Sequence, residues 1–309
     1  MTADRAGQLL AALIAEAVLG YPTALFAAIG HPVSWVGGLI VVLDTRWNYG
    51  AAVRQRLAGV ALLLVLIAIA GSTGWAVTRL CGDGWGVVIL ILVATTGLAQ
   101  RSLDDHVLAV LRPMLAGNLL AACIAVGAIV GRDTAALDDA GVATAAIESL
   151  AESLCDGIVA PAFWFLVAGL PGLFICKAIN TADSIVGHRD ERHADFGWAI
   201  ARADDVINFL PARLAGLLVC IAGWGGFTTM LRDARRHASP NGGWPEAAMA
   251  GALGRQLGGP VSYDGEPAMR ATLGSGAPAG AVDLARALAI YRRACLLLWI
   301  IVGLLAWRL

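Results

Sequence analysis

The chain has 309 residues, 58% of them hydrophobic and only 15% charged, with a mean hydropathy of +0.72. Soluble domains average about 45–50% apolar and about 25% charged residues, so this balance argues against an ordinary soluble globule and for a membrane protein. The formal charge of -1, without any basic run, gives no support for a nucleic-acid partner.

Six cysteines (Cys81, Cys123, Cys155, Cys176, Cys220, Cys295) are scattered through apolar runs with no C-x-x-C. They read as small core residues rather than a disulfide frame or a zinc site. Leu9 to Leu19 is apolar and lacks a small-residue cleavage site, so a retained helix is expected there. Ala24 to Leu43 is apolar but interrupted by Gly30-His31-Pro32-Val33, which should break or kink it. Arg46, Arg54 and Arg56 follow and read as cytoplasmic. Ala58 to Val77 is long enough to span a bilayer, and Trp85 to Leu98 reads as a short return. His106 to Ala143 mixes apolar periodicity with charge, the pattern of helices in water or at the interface.

The stretch from Ala145 to Asp205 is apolar enough for lipid yet carries Glu148, Glu152, Asp156, Lys177, Asn180 and Asp183. Ionisable groups at membrane depth are costly and usually mark function. Glu148, Glu152 and Asp156 share one helix face by their i, i+4 spacing. Gly169-Leu170-Pro171-Gly172 can reverse the chain. With equal helical rise on both flanks, residues whose numbers sum to about 341 would then be level, which sets Asp156 near Asp183 and Glu152 beside Arg189. Such a gathering of carboxylates needs a cation, and Mg²⁺ suits oxygen ligands. The structural alternative is ion pairing of Glu152 with Arg189 and Asp183 with Lys177; residue spacing leaves both open.

Gly187 to Asn208 is dense in charge and contains Asp204-Asp205. Leu210 to Phe227 is apolar with arginines on both flanks, so it is expected to be re-entrant or to lie against other helices. His237 to Ala285 is polar and rich in Gly and Pro, a functional loop or lid by its length. Ala294 to Trp307 reads as a final apolar helix. The expected architecture is an all-α polytopic membrane protein, a helical bundle with kinked or re-entrant helices and long polar cytoplasmic loops. It forms one membrane domain over 1–309. Its parts are N-terminal membrane helices (9–100), amphipathic cytoplasmic helices (106–143), a core hairpin with the site (145–227), a polar cytoplasmic segment (228–287) and a C-terminal membrane helix (288–309).

Several runs then combine into a resemblance that covers nearly the whole chain. They are Leu19-Gly20-x-Pro22 with His31-Pro32-Val33-x-x-x-Gly37, and Gly131-Arg132-Asp133-Thr134. Glu148-Ser149-x-Ala151-Glu152 with Asp156-Gly157-x-x-Ala160-Pro161 follows, then Lys177-x-x-Asn180-Thr181-x-Asp183-Ser184. Glu191-Arg192, Asp195-Phe196-Gly197-Trp198, Asp204-Asp205 and Pro211-Ala212-Arg213 continue it, and Ser239-Pro240-Asn241-x-Gly243-Trp244-Pro245-Glu246-Ala247 is the most specific. Together they resemble the CobD/CbiB family of cobalamin biosynthesis, adenosylcobinamide-phosphate synthase. Departures from the family pattern are Tyr21, Ser153, Cys155 and His188, where Asp, Asn, Ser and Tyr are usual.

The resemblance implies a ligase that joins adenosylcobyric acid to (R)-1-amino-2-propanol phosphate as an amide, with ATP as co-substrate and Mg²⁺. Its partners would be that corrinoid, the aminopropanol phosphate, ATP and the lipid bilayer, with an oligomer left open. Metal candidates are Glu148, Glu152, Asp156 and Asp183, with Asp204 and Asp205 as a second set. Glu152, Asp183 and His237 are the catalytic candidates, His237 and His31 being weighed as the base that takes the amine proton. Lys177, Arg189, Arg192, Arg202 and Arg213 would meet phosphate charge. Asn180, Thr181 and Ser184 would complete coordination or bind phosphate, although interhelical hydrogen bonds suit them equally. Asn241, Trp244 and Glu246 join the binding set from the loop motif, with Trp244 and Trp198 suited to cover a flat corrin. The implied location is the bacterial inner membrane, multi-pass, with the active site toward the cytoplasm. The rival readings are a catalytically silent AmpE-like regulatory protein and a small-solute transporter, the latter unsupported by any internal repeat.

Overall fold

The computed structural model describes residues 2–81, 83–187, 192–263 and 265–308. In chain order the helices are α1 (Thr2–Leu19), α2 (Thr23–Ile29), α3 (Pro32–Trp47), α4 (Ala52–Cys81), α5 (Gly86–Thr95), α6 (Gln100–Leu115) and α7 (Leu119–Gly127). They continue with α8 (Asp139–Leu154), α9 (Ala160–Val186), α10 (Trp198–Ile207), α11 (Phe209–Ala222), α12 (Phe227–Asp233) and α13 (Gly243–Leu253). An antiparallel hairpin, β1 (Gln256–Tyr263) and β2 (Glu266–Gly274), precedes the long α14 (Ala281–Arg308). The architecture is therefore helical, with one small hairpin added. Among the described residues, five stretches are long and apolar enough to cross a membrane: Thr23–Trp47, Ala52–Cys81, Gly86–Leu115, Asp139–Val186 and Ala281–Arg308. The bent pair α10 and α11 would make a sixth.

The chain forms two compact units interleaved in sequence. The first is Met1–Ala99, Asp156–Asn208 and Val302–Leu309; the second is Gln100–Cys155 and Phe209–Ile301.

In the first unit the break expected at Gly30-His31-Pro32 separates α2 from α3. Gly30 has φ 72, open to glycine at little cost, and the His31 Nδ1 accepts from the Val33 N–H at 3.2 Å. His31, weighed above as a base, is thus a helix cap. Tyr21 closes the same turn, its hydroxyl donating to the Gly30 carbonyl at 2.8 Å and its ring stacked edge-on to His31. The 30-residue α4 runs about 45 Å, more than the ~30 Å hydrocarbon thickness, and Arg54, Arg56 and Arg79 at its ends can reach the interfaces. Leu62, Leu66 and Ala70 of α4 and Ala178, Ala182 and Val186 of α9, each at i, i+4 spacing, meet Ile40, Phe196 and Ile200 in its core. Close approach needs Gly74: a Cβ there would stand 2.6 Å from the Pro171 nitrogen.

α9 is not straight. Gly169 has φ 69 and ψ −154, and the Asp156 carboxylate accepts from the Asn180 side chain at 3.1 Å. Twenty-four residues of straight helix would span about 36 Å, so the chain reverses here. The expected hairpin is present, but its pairing differs. Asp156 comes level with Lys177 and Asn180 rather than with Ile185, because the pivot lies at the left-handed Gly169, ahead of Leu170-Pro171, while Asp183 and Asp156 both lie within electrostatic reach of Asp204.

The second unit is built round α8, whose Val142 to Ile147 run is buried on every side. Asp138 caps it, accepting from the Gly141 N–H at 2.7 Å. α6 presents Leu103, Val107, Val110, Leu111 and Met114 to this core. It is amphipathic as expected, but its apolar face is taken up by α7 and α8. The stretch His237 to Ala285, read as a functional loop or lid, carries α13 and the hairpin. Its small residues are the reason: Ala247, Ala248 and Ala250 of α13 are buried between α11, α12 and α8, where Gly- and Ala-rich surfaces allow close packing.

Candidate functional site

In the second unit, Glu148 and Glu246 are each 1% exposed and lie round a pair of arginines. Arg132, from the loop before α8, ion-pairs with Glu148. Arg270, from β2, spans the acids, its NH1 donating to Glu148 at 2.8 Å and its NH2 to Glu246 at 3.0 Å. The Gly258 N–H completes the Glu148 shell at 2.6 Å. That donor is available because the hairpin register slips between Leu257 and Gly259, which turns Gly258 inward with φ 81. A Cβ at Gly258 would stand 2.2 Å from the Ala271 carbonyl, so only glycine fits.

His237 joins this cluster, with Nε2 2.8 Å from Arg270 and 3.5 Å from Glu246, and with Nδ1, which carries the ring proton, donating to the Ser239 carbonyl at 3.3 Å. A guanidinium only donates, so the imidazole nitrogen facing it is an acceptor. Burial first, and Arg270 second, lower the His237 pKa and hold the ring neutral. Burial lifts Glu246 well above the ordinary carboxylate range even though Arg270 opposes the shift. Burial also disfavours the Arg270 charge, but Glu246, Glu148 and Glu152 outweigh it and raise its pKa. Glu152 is exposed and within electrostatic reach of His237, Glu246 and Arg270.

On the same unit, the Arg213 guanidinium lies 3.8 Å from the Phe209 ring centre and 4.6 Å from that of Trp244, and donates to Asn241 Oδ1 at 2.7 Å. The Trp244 Nε1–H is buried with no acceptor among the described residues. Three predicted residues, Arg213, Asn241 and Trp244, therefore come together as a cationic, donor-rich face.

The first unit holds the other predicted group. Lys177 Nζ lies 3.4 Å from the Asp156 carbonyl and 3.5 Å from Asn180 Oδ1, and Asp204 is in electrostatic reach of Asp156 and Asp183. Thr181 and Ser184 donate to carbonyls one turn back in α9, at 2.7 and 2.9 Å.

Several expectations change. Glu148 leaves the metal set, since two arginines and a backbone N–H occupy its carboxylate. The Glu148-Glu152-Asp156 stripe does not continue as one helix face, because α8 ends at Leu154 and a π-helical turn, Cys155–Val159, changes the register. Asp205 pairs with Arg202 at 3.0 Å on α10, one turn apart. Arg192 is bound to Asp44, a buried acid that Asn48 also donates to at 2.9 Å. Arg189, Glu191 and His188 lie outside the described residues.

Sequence reasoning missed Arg270, Asp44 and Asn208. Arg270 had no local signal. Arg132 stood in a quoted motif without a role, and Asn208 sits one turn after Asp204, a spacing that would have found it.

Among the described residues no three His, Cys, Asp or Glu side chains are placed to enclose an ion. The Asp204 Oδ1 and Asn208 Oδ1 oxygens, however, are buried acceptors with no donor among the described residues. Mg²⁺ commonly takes one or two carboxylates and fills the rest with water and substrate phosphate, so the oxygen set of the first unit fits it.

The CobD/Cbib protein family model matches residues 9–291. The chain belongs to this family. It is 48% identical to the "Cobalamin biosynthesis protein CobD" of Rhodobacter capsulatus over 309 residues, covering 97% of each chain. It is 46% identical to the Brucella anthropi protein of that name, over 82% of each, and 41% identical to that of Rhizobium meliloti, over 93% of this chain and 92% of the relative. No solved structure matches the chain.

Proposed function

We propose that the protein is a membrane-bound ligase of cobalamin biosynthesis. It joins adenosylcobyric acid to (R)-1-amino-2-propanol O-2-phosphate, with ATP and Mg²⁺, and gives adenosylcobinamide phosphate. The observation that carries this reading is the match, along nearly its full length, to relatives named for cobalamin biosynthesis.

A carboxylate does not react with an amine until it is activated. Its oxygen attacks the γ-phosphorus of ATP, ADP leaves, and an acyl phosphate results; the amine then displaces phosphate as the C–N bond forms. Within the second unit, Arg213, stacked on two aromatic rings, is oriented to take anionic oxygens of a substrate. Glu152 accepts the proton that the amine sheds, because it is exposed while the nearby His237 has Nε2 against Arg270 and Nδ1 against Ser239. His237 and Glu246 position Arg270, and Lys177 and Asn180 hold Asp156 in the first unit. Mg²⁺, when bound, would offset phosphate charge, with Asp156 and Asp204 as its holders. ATP supply places the site on the cytoplasmic side of a bacterial inner membrane, in line with the arginines of 46–56.

The test is the purified protein in detergent with corrinoid, aminopropanol phosphate, ATP and Mg²⁺, read by ADP release and by the mass of the amide product. Coupled formation of both is expected, and Glu152→Gln should slow it by about 10²–10⁴-fold. A wild-type protein that makes no amide under these conditions would be the silent regulatory relative instead. A Glu152→Gln protein at full rate would remove that residue from the role.

A further inference from the structure

The cap that ends α11 has an unexpected occupant. The Gly225 N–H donates to the Cys220 carbonyl at 3.0 Å and the Trp224 N–H to that of Ile221 at 3.2 Å, the paired bonds of a Schellman motif. The residue at the end of such a helix takes a left-handed backbone, a place that glycine usually fills. Here it is Trp224, at φ 56, although Gly225 and Gly226 follow at once. A bulky side chain is strained in that conformation. Burial repays little of the strain, because Trp224 is 88% exposed, and Ile221 and Phe227 on either side of the turn are exposed as well. The indole therefore calls for a partner outside the chain.

The surroundings of the turn say which one. α12 folds back along α11: the Cys220 Sγ lies 3.9 Å from the Met230 Sδ, and a Cβ at Gly216 would stand 2.7 Å from that sulfur. α11 thus turns back rather than crossing, so the arginines on its two flanks return to one side. The tip is tied to α14, where the Arg293 NH1 donates to the Ala222 carbonyl at 2.9 Å. α14 is long and apolar enough to span, and Leu296 and Ile300 continue the face of Arg293 as exposed apolar side chains. An arginine one turn before such a stripe stands where hydrocarbon gives way to headgroups. Trp224 is thereby held at the depth that suits an apolar ring with a single N–H.

We infer that the turn Trp224-Gly225-Gly226-Phe227 is an interfacial anchor, which seats the second unit on the bilayer with the Trp224 indole among lipid carbonyls and headgroups. The anchor does not depend on the ligase reading.

The experiment places an environment-sensitive NBD label on the full-length protein in vesicles of phosphatidylcholine and phosphatidylglycerol. The label enters through Trp224→Cys in a Cys81→Ser background, the other five cysteines being buried. Loss of emission is compared for aqueous iodide, a lipid spin-labelled just below the headgroup and a lipid spin-labelled near the end of its acyl chain. The spin label below the headgroup should cause the largest loss. Phe227→Cys, labelled in the same way, should repeat that order, which guards against distortion by the first substitution. The largest loss to iodide at either position means water, and the largest loss to the deep spin label means a crossing segment. Loss to none of the three means cover by a second copy of the chain. Any of these outcomes overturns the inference.

Discussion

Replacing Arg270 with alanine tests whether the buried cluster of the second unit is held by charge. The side chain is 21% exposed and serves two acids that are almost wholly buried. Its loss leaves Glu148 with Arg132 and the Gly258 N–H, but strips Glu246 of its ion pair. Removing one partner of a buried pair costs about 3–5 kcal/mol, and the partial exposure of Arg270 together with the donors that Glu148 keeps argue for the lower end, about 3 kcal/mol. At about 2.1 cal/mol/K of unfolding entropy per residue, a chain of 309 residues moves its midpoint by about 1.5 °C per kcal/mol, so thermal unfolding in detergent should drop by about 5 °C. The loss should also depend on pH. Without Arg270, Glu246 holds a proton still more tightly, so the variant loses further ground as pH rises and recovers part of it near pH 5. In a Glu246→Gln background the effect of Arg270→Ala should shrink by about 1–3 kcal/mol, as expected for groups in direct contact. A drop that is independent of pH and unchanged in that background would refute the charge argument and leave only lost packing.

Glu246→Gln by itself should flatten a slope. The native state keeps a proton on Glu246 above the ordinary value of 4.5 while the unfolded chain sheds it, so wild-type stability declines with rising pH through that window; midpoints measured from pH 5 to 8 should lose this component in the variant. Gly169→Ala puts a Cβ on a backbone at φ 69, ψ −154, and should cost about 1–3 kcal/mol, read as a lower midpoint. Arg202→Ala should change stability by no more than about 0.5 kcal/mol, since its i, i+3 pair with Asp205 is half exposed; a larger loss in the unfolding midpoint would refute the reading of this pair as a weak surface contact.

The reversal near Gly169 was legible because a Gly-Leu-Pro-Gly run inside an apolar stretch can hardly do otherwise. Which residues it brought level was not, since one left-handed glycine moved the pivot and set Asn180 rather than Ile185 opposite Asp156. The break before α3 was also legible, but only the coordinates turned His31 from a candidate base into a cap. The helix and hairpin within His237 to Ala285 were not legible for a different reason: glycines and prolines, signs of a loop in sequence, serve close helix packing and an inward-facing bulge there.

Sequence by itself determined the lipid-compatible helices, the family, and the residues that carry charge at depth, because hydropathy, helical period and local motifs are properties of neighbours along the chain. Tertiary structure alone decided what each charge meets. Glu148 is neutralised by an arginine 16 residues away and another 122 residues away, and a carboxylate becomes a structural anchor or an ion's ligand according to which donors fill its shell in space.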